Sequence, residues 1–165
     1  MNKLKIVTAF LIGTLIPMTS TGQDLTDTKL STKTVLNIAV VKNIATAAEA
    51  EAIKNGWNVS IAIVDDAGQL LYFQRMDDVA NSSADIAIAK AKHAANYRRD
   101  TKFHQTLLEN GNNVVLALPD SMPIEGGVRL MAGNKVIGGI GVSGAQSPED
   151  GQIAQAGADL LKNKQ

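Results

Sequence analysis

Two histidines, two isolated arginines and one acid beside a glycine pair are the side chains in this sequence best suited to chemistry. His93 and His104 are the only imidazoles, and neither has a second histidine at the i, i+4 spacing that helical metal sites use. Asp100 lies four residues before His104, which a surface hydrogen bond explains. Each histidine therefore reads as structural or solvent-facing, with haem ligation as the sharper alternative. In Met122-Pro123-Ile124-Glu125-Gly126-Gly127-Val128-Arg129, the Gly126-Gly127 amides could face an anion, with Arg129 nearby. Glu125, flanked by glycine and apolar residues, is the one candidate for a buried general base. Gly138, Gly139 and Gly141 recur within one apolar segment, where glycine weakens a strand unless something must approach closely. That something is either a flat ligand or a helix packed on the strand. Arg75-Met76-Asp77-Asp78 reads as a solvated strand end, with Arg75 also able to grip a ligand carboxylate.

Several chemistries are excluded. The chain has no cysteine, so disulfides, thiolate metal sites and cysteine nucleophiles are absent. No Gly-x-Gly-x-x-Gly opens a helix, no Gly-Lys-Ser or Gly-Lys-Thr occurs, and no serine sits in a Gly-x-Ser-x-Gly elbow. The 16 basic and 16 acidic residues cancel, and without a basic cluster nucleic-acid binding is not expected.

The elements that must position these residues follow from periodicity and punctuation. Lys3 and Lys5, the apolar run from Ile6 to Ile16, Pro17, and Ser20-Thr21-Gly22 have the three parts of a secretory signal peptide, residues 1–22. The run is too short to span a bilayer, so the mature chain, 23–165, is expected to be one domain, periplasmic or secreted, outside the membrane. A helix is predicted from Ser31 or Thr32 to Asn55, stopped by Gly56. Alternation from Val59 to Ile63, the turn Asp65-Asp66-Ala67-Gly68 and the return from Leu70 to Arg75 predict a hairpin. A helix begins at Ser82-Ser83-Ala84-Asp85 in capping-box spacing, and a second runs from Thr101 to Asn110. Val114 to Leu118 reads as a strand. Val128 to Met131 and Val136 to Ser143 form a second hairpin, and Ser147-Pro148 opens a helix to Lys162. The expected class is α+β, a mostly antiparallel five-stranded sheet flanked by helices.

Several of these segments resemble the GlcG/HbpS-like family. The resemblance rests on Ile61-Ala62-Ile63-Val64-Asp65 with Gly68 and Arg75-Met76-Asp77, then on Ser83, Ala89-Lys90-Ala91, Arg98-Arg99 and Thr101. Its most specific part is Pro123-Ile124-Glu125-Gly126-Gly127-Val128 with Ile140-Gly141-Val142-Ser143-Gly144 and Asp150. It covers the mature chain in order. It implies a profilin- or PAS-like α/β/α sandwich, homo-oligomers that are often octamers, and haem binding, for some members with haem degradation. In haem-binding relatives the iron ligand is a histidine on the first helix, and the segment from Ser31 to Asn55 contains none. Asp100 also stands where many relatives carry proline. Met76, His93, His104 or a neighbouring subunit would then supply the axial ligand. The sheet glycines would meet the ring, and Arg75 or Arg129 the propionates. Two alternatives stand beside haem: an enzyme on a small organic acid with Glu125 as base and the Gly126-Gly127 amides stabilising an anion, and an oligomeric adaptor without a ligand.

Overall fold

The computed structural model describes residues 31–162. The expected signal peptide, 1–22, and residues 23–30 lie outside the described residues.

Helix α1 (Ile38–Asn55) starts later than its sequence pattern predicts. Asn37 is extended and its Oδ1 accepts the Val40 N–H at 2.9 Å, which fixes the first turn there. Gly56, at φ +72°, ends the helix as expected. Strands β1 (Ser60–Asp65) and β2 (Leu70–Arg75) form the first hairpin. Asp65 Oδ1 accepts the N–H groups of Ala67 and Gln69 at 2.9 and 2.8 Å, closing the turn.

Helix α2 (Ser83–Asn96) does not use Ser82 as a side-chain cap. Ser83 instead turns inward, donating to the Ala80 carbonyl at 2.6 Å and meeting the Ser60 hydroxyl at 3.0 Å. Arg98, at φ +51°, turns the chain into helix α3 (Thr101–Glu109). The expected strand from Val114 to Leu118 is a 3₁₀ turn, Asn113–Ala117. Only Val115 of that run is buried, while Val114 and Leu116 are 72% and 64% exposed. A continuous apolar run carries no period that separates a strand from a helical turn, and the sheet therefore has four strands, not five. Strands β3 (Gly127–Ala132) and β4 (Lys135–Ser143) form the second hairpin. Helix α4 (Ser147–Asp159) follows; Pro148 is its second residue, and the Gln146 N–H donates to Glu149 at 2.8 Å. The helix stops three residues short of Lys162.

The sheet order is β2-β1-β4-β3, antiparallel throughout. Alternation sends Ile61, Ile63, Val128, Leu130, Ile140 and Val142 to one face, where α1 and α4 cover them with Val41, Ile44, Ala48, Ile153 and Ala154. Ala62 and Val64 point the other way, against Ala87, Ala91 and Ala95 of α2. Helices on both faces make the α/β/α arrangement.

The glycines of β4 let α2 lie with its backbone on the sheet. A Cβ at Gly141 would stand 2.1 Å from the Ala87 carbonyl oxygen and 2.4 Å from the Ala91 nitrogen, and one at Gly139 2.3 Å from the Ala91 oxygen. The face expected to take either a flat ligand or a helix is thus filled by a helix. Gly141→Ala should lower stability by about 1–3 kcal/mol through overpacking against rigid backbone. An unchanged urea midpoint for this variant would show that α2 can lift off the strand without loss.

Candidate functional site

The loop ahead of β3 and the start of α3 bring together four of the predicted residues, Glu125, Gly126, Gly127 and Arg129. Gly126 is buried at φ +128°, a conformation that L side chains rarely adopt. A Cβ there would stand 2.6 Å from Lys90 Nζ and 2.9 Å from Asp150 Cβ. Beneath it Lys90 and Asp150 form an ion pair with side chains 2% and 3% exposed, Nζ to Oδ2 at 2.8 Å. Lys90 Nζ also donates to the Val142 carbonyl at 3.0 Å, and Asp150 Oδ1 accepts the Ala145 N–H at 3.0 Å. Burial pushes the Asp150 carboxyl up, and the Lys90 hydrogen bond and charge draw it back. This pair ties α2, β4 and α4 to the Gly126 turn. Its role was partly legible: Lys90 follows Ala87 by three residues and precedes Ala94 by four, which puts it on the buried stripe of α2.

The Gly127 amide is not open to an anion. Gly127 N–H donates to Thr101 Oγ1 at 2.9 Å, and a Cβ at Gly127 would stand 2.4 Å from the Lys90 carbonyl oxygen. Glu125 Oε1 accepts from Lys102 Nζ at 2.9 Å, and the Glu125 N–H donates to Gln105 Oε1. The carboxylate expected as a buried base is thus bound in an ion pair at the mouth of a cleft of about 390 Å³, which Gln152 and Gln155 also line.

Arg129 is held rather than free. Its Nε and backbone N–H both donate to Asp100 Oδ1, at 2.8 and 3.0 Å, and its Nη2 reaches Oδ2 at 3.3 Å. These bonds raise the pKa of the guanidinium further above its ordinary value. Asp100 therefore serves Arg129 and not His104. Arg75 sits away from this cluster, at the end of β2, where its Nη2 donates to the Val79 carbonyl and Asn81 Oδ1, both at 2.8 Å. Met76 packs against the core between the sheet and helices α1 and α4.

The two histidines meet. His93 Nε2 and His104 Nδ1 are 2.7 Å apart, and the Met122 backbone N–H donates to His93 Nδ1 at 2.8 Å. The residues are 1% and 8% exposed. Burial, with the neighbouring His104, pushes His93 down to about 4. Burial and the Arg99 charge also lower His104. Sequence spacing missed this pair because the 11-residue separation crosses from α2 to α3, and only the bend at Arg98 brings the rings together.

Beside the pair, a cleft of about 530 Å³ is lined by Arg99, Asp100, Lys102, Phe103, Thr106, Leu107 and Arg129. This is within the usual size of a small-molecule site. Phe103 is 48% exposed and carries the Arg99 guanidinium 5.4 Å above its ring centroid. An apolar surface rimmed by three cations suits a flat molecule bearing carboxylates. Arg99, Lys102, Phe103 and Leu107 are functional candidates that the sequence reading did not single out. Their signal was faint, an aromatic and a leucine four residues apart on a short amphipathic helix.

The chain is similar to known proteins in sequence and fold. The sequence is 40% identical to Protein GlcG of Escherichia coli (strain K12) over 114 residues, 69% of this chain and 85% of that protein. The fold is similar to the crystal structure of HbpS, with a TM-score of 0.74 and 31% identity over 81% of this chain and 94% of that one. It is also similar to the crystal structure of a PduOC:Heme complex, with a TM-score of 0.69 and 25% identity over 76% and 94%. The sequence model of the family described as haem degrading protein HbpS-like matches residues 36–159, and the chain belongs to that family.

Proposed function

We propose that the protein binds a haem-type tetrapyrrole in the cleft over α3. The observation that carries this reading is the exposed Phe103 ring beside half-buried Leu107, inside a rim of Arg99, Lys102 and Arg129. The family and the haem complex of a similar fold support the choice of ligand. Phe103 would stack on the macrocycle, Leu107 would extend the apolar floor, and Arg99 and Lys102 would meet the propionates. Arg129, fixed by Asp100, would contribute charge at the rim. When bound, haem would supply an iron centre for redox or oxygen chemistry.

In the same proposal the protein is exported behind its leader and works as a homo-oligomer. Val114 and Leu116 offer apolar surface for a second copy to cover.

Haemin titrated into the purified protein should give saturable spectral change. Phe103→Ala should weaken binding about two- to twelvefold, from the roughly 0.5–1.5 kcal/mol of an aromatic contact. Light scattering on the same sample reads the assembly. Non-saturating change, or equal affinity in Phe103→Ala and Arg99→Ala, would remove the cleft as the site.

A further inference from the structure

The residues of this cleft fit the ring and carboxylates of a tetrapyrrole, but they do not fit its iron. Among the described residues lining it there is no imidazole or thioether, the Lys102 ammonium is paired with Glu125, and both oxygens of the Asp100 carboxylate are held by Arg129. The chain has no cysteine. The two adjacent imidazoles are committed by their own hydrogen bonds. Met122 N–H occupies the His93 Nδ1 lone pair, so the neutral His93 ring carries its proton on Nε2. That proton is donated to His104 Nδ1, which places the His104 proton on Nε2. Each ring then has one nitrogen accepting a hydrogen bond and the other protonated. Freeing the His104 Nε2 lone pair would require a proton on His93 Nδ1, against the Met122 N–H. Met76, half-buried, packs against the core on the opposite face of the sheet.

We propose that the site, on the reading given above, recognises tetrapyrrole dicarboxylates without regard to the central metal. His93 and His104 are a locked neutral pair that anchors the loop at Met122 to α2 and α3. Iron-free and metal-bearing porphyrins of the same carboxylate pattern should then be equivalent ligands.

Haemin, protoporphyrin IX and zinc protoporphyrin IX would be titrated into the full protein at neutral pH, beside His104→Ala. Dissociation constants within about threefold of one another are expected, because no metal–protein bond separates the three ligands. The haemin band should also keep its position in His104→Ala. Haemin binding tighter than protoporphyrin IX by more than about a hundredfold, with a low-spin band lost in His104→Ala, would overturn the inference. Failure of all three ligands to bind would instead remove the tetrapyrrole reading. The proton positions can be tested without a ligand. In ¹⁵N-detected NMR of the imidazoles, both rings should be protonated at Nε2, and an unprotonated His104 Nε2 would show that the pair is not locked.

Discussion

Replacing Asp150 with alanine should lower the folding free energy by about 3–5 kcal/mol, because it strands the Lys90 ammonium in the core without its counter-charge. The mechanism is specific to this pair. Both side chains are almost fully buried, the ammonium's one other acceptor among the described residues is the Val142 carbonyl, and Gly126 packs on Nζ with no room to relax over it. Lys90→Met removes the other member and should fall in the same range. The double variant Lys90→Met/Asp150→Ala removes both charges and should recover much of the loss. It should not reach the parent, since the Ala145 N–H loses its acceptor at an expected cost of about 1–3 kcal/mol. Urea unfolding of the four proteins forms a double-mutant cycle. A single-variant loss below about 1 kcal/mol would show that water enters and solvates the pair.

Acid should destabilise the protein earlier than its carboxylates require. In the unfolded chain His93 titrates near 6.5, whereas in the folded protein it is held down to about 4. Between these values the unfolded state binds the extra proton, so stability is complete above about pH 6.5 and declines as pH falls toward 4. The full effect is about 3 kcal/mol, and His93 adds no further loss below pH 4. His104, lowered in the same direction, adds to the slope. Protonation puts a hydrogen on Nδ1, where the Met122 N–H now points, so the same event detaches the loop. In His93→Asn the side-chain oxygen can still accept from Met122 but nothing titrates there. Urea midpoints between pH 7.5 and pH 4.5 should therefore fall steeply for the parent and flatten for the variant, and parallel curves would exclude His93 as the source.

Much of the fold was readable because local chemistry and global packing agree there. Alternation in β1, the Asp65 turn, and glycines at 56, 111 and 133, all with positive φ, mark their elements without help from distant residues. The Val114–Leu118 run failed because its fate depends on a sheet edge, and the edge of β3 is engaged by residues from the start of α3. The site was less legible for the same reason. Lys90 and Asp150 are 60 residues apart, and Asp150 alone looks like an ordinary acid in a helix's first turn. Asp100 read as a surface partner for His104, and only the fold shows it clasping Arg129.

That clasp also decides how the sheet ends. Gly127 and Arg129 direct their outward N–H groups to Thr101 Oγ1 and Asp100 Oδ1, so the first half of the terminal strand has its main-chain donors answered from within the molecule. A foreign strand docking there would find side chains seated where its carbonyls must bind. This edge thereby resists lengthening the sheet across molecules, the route by which bare strand edges lead to fibrillar aggregation.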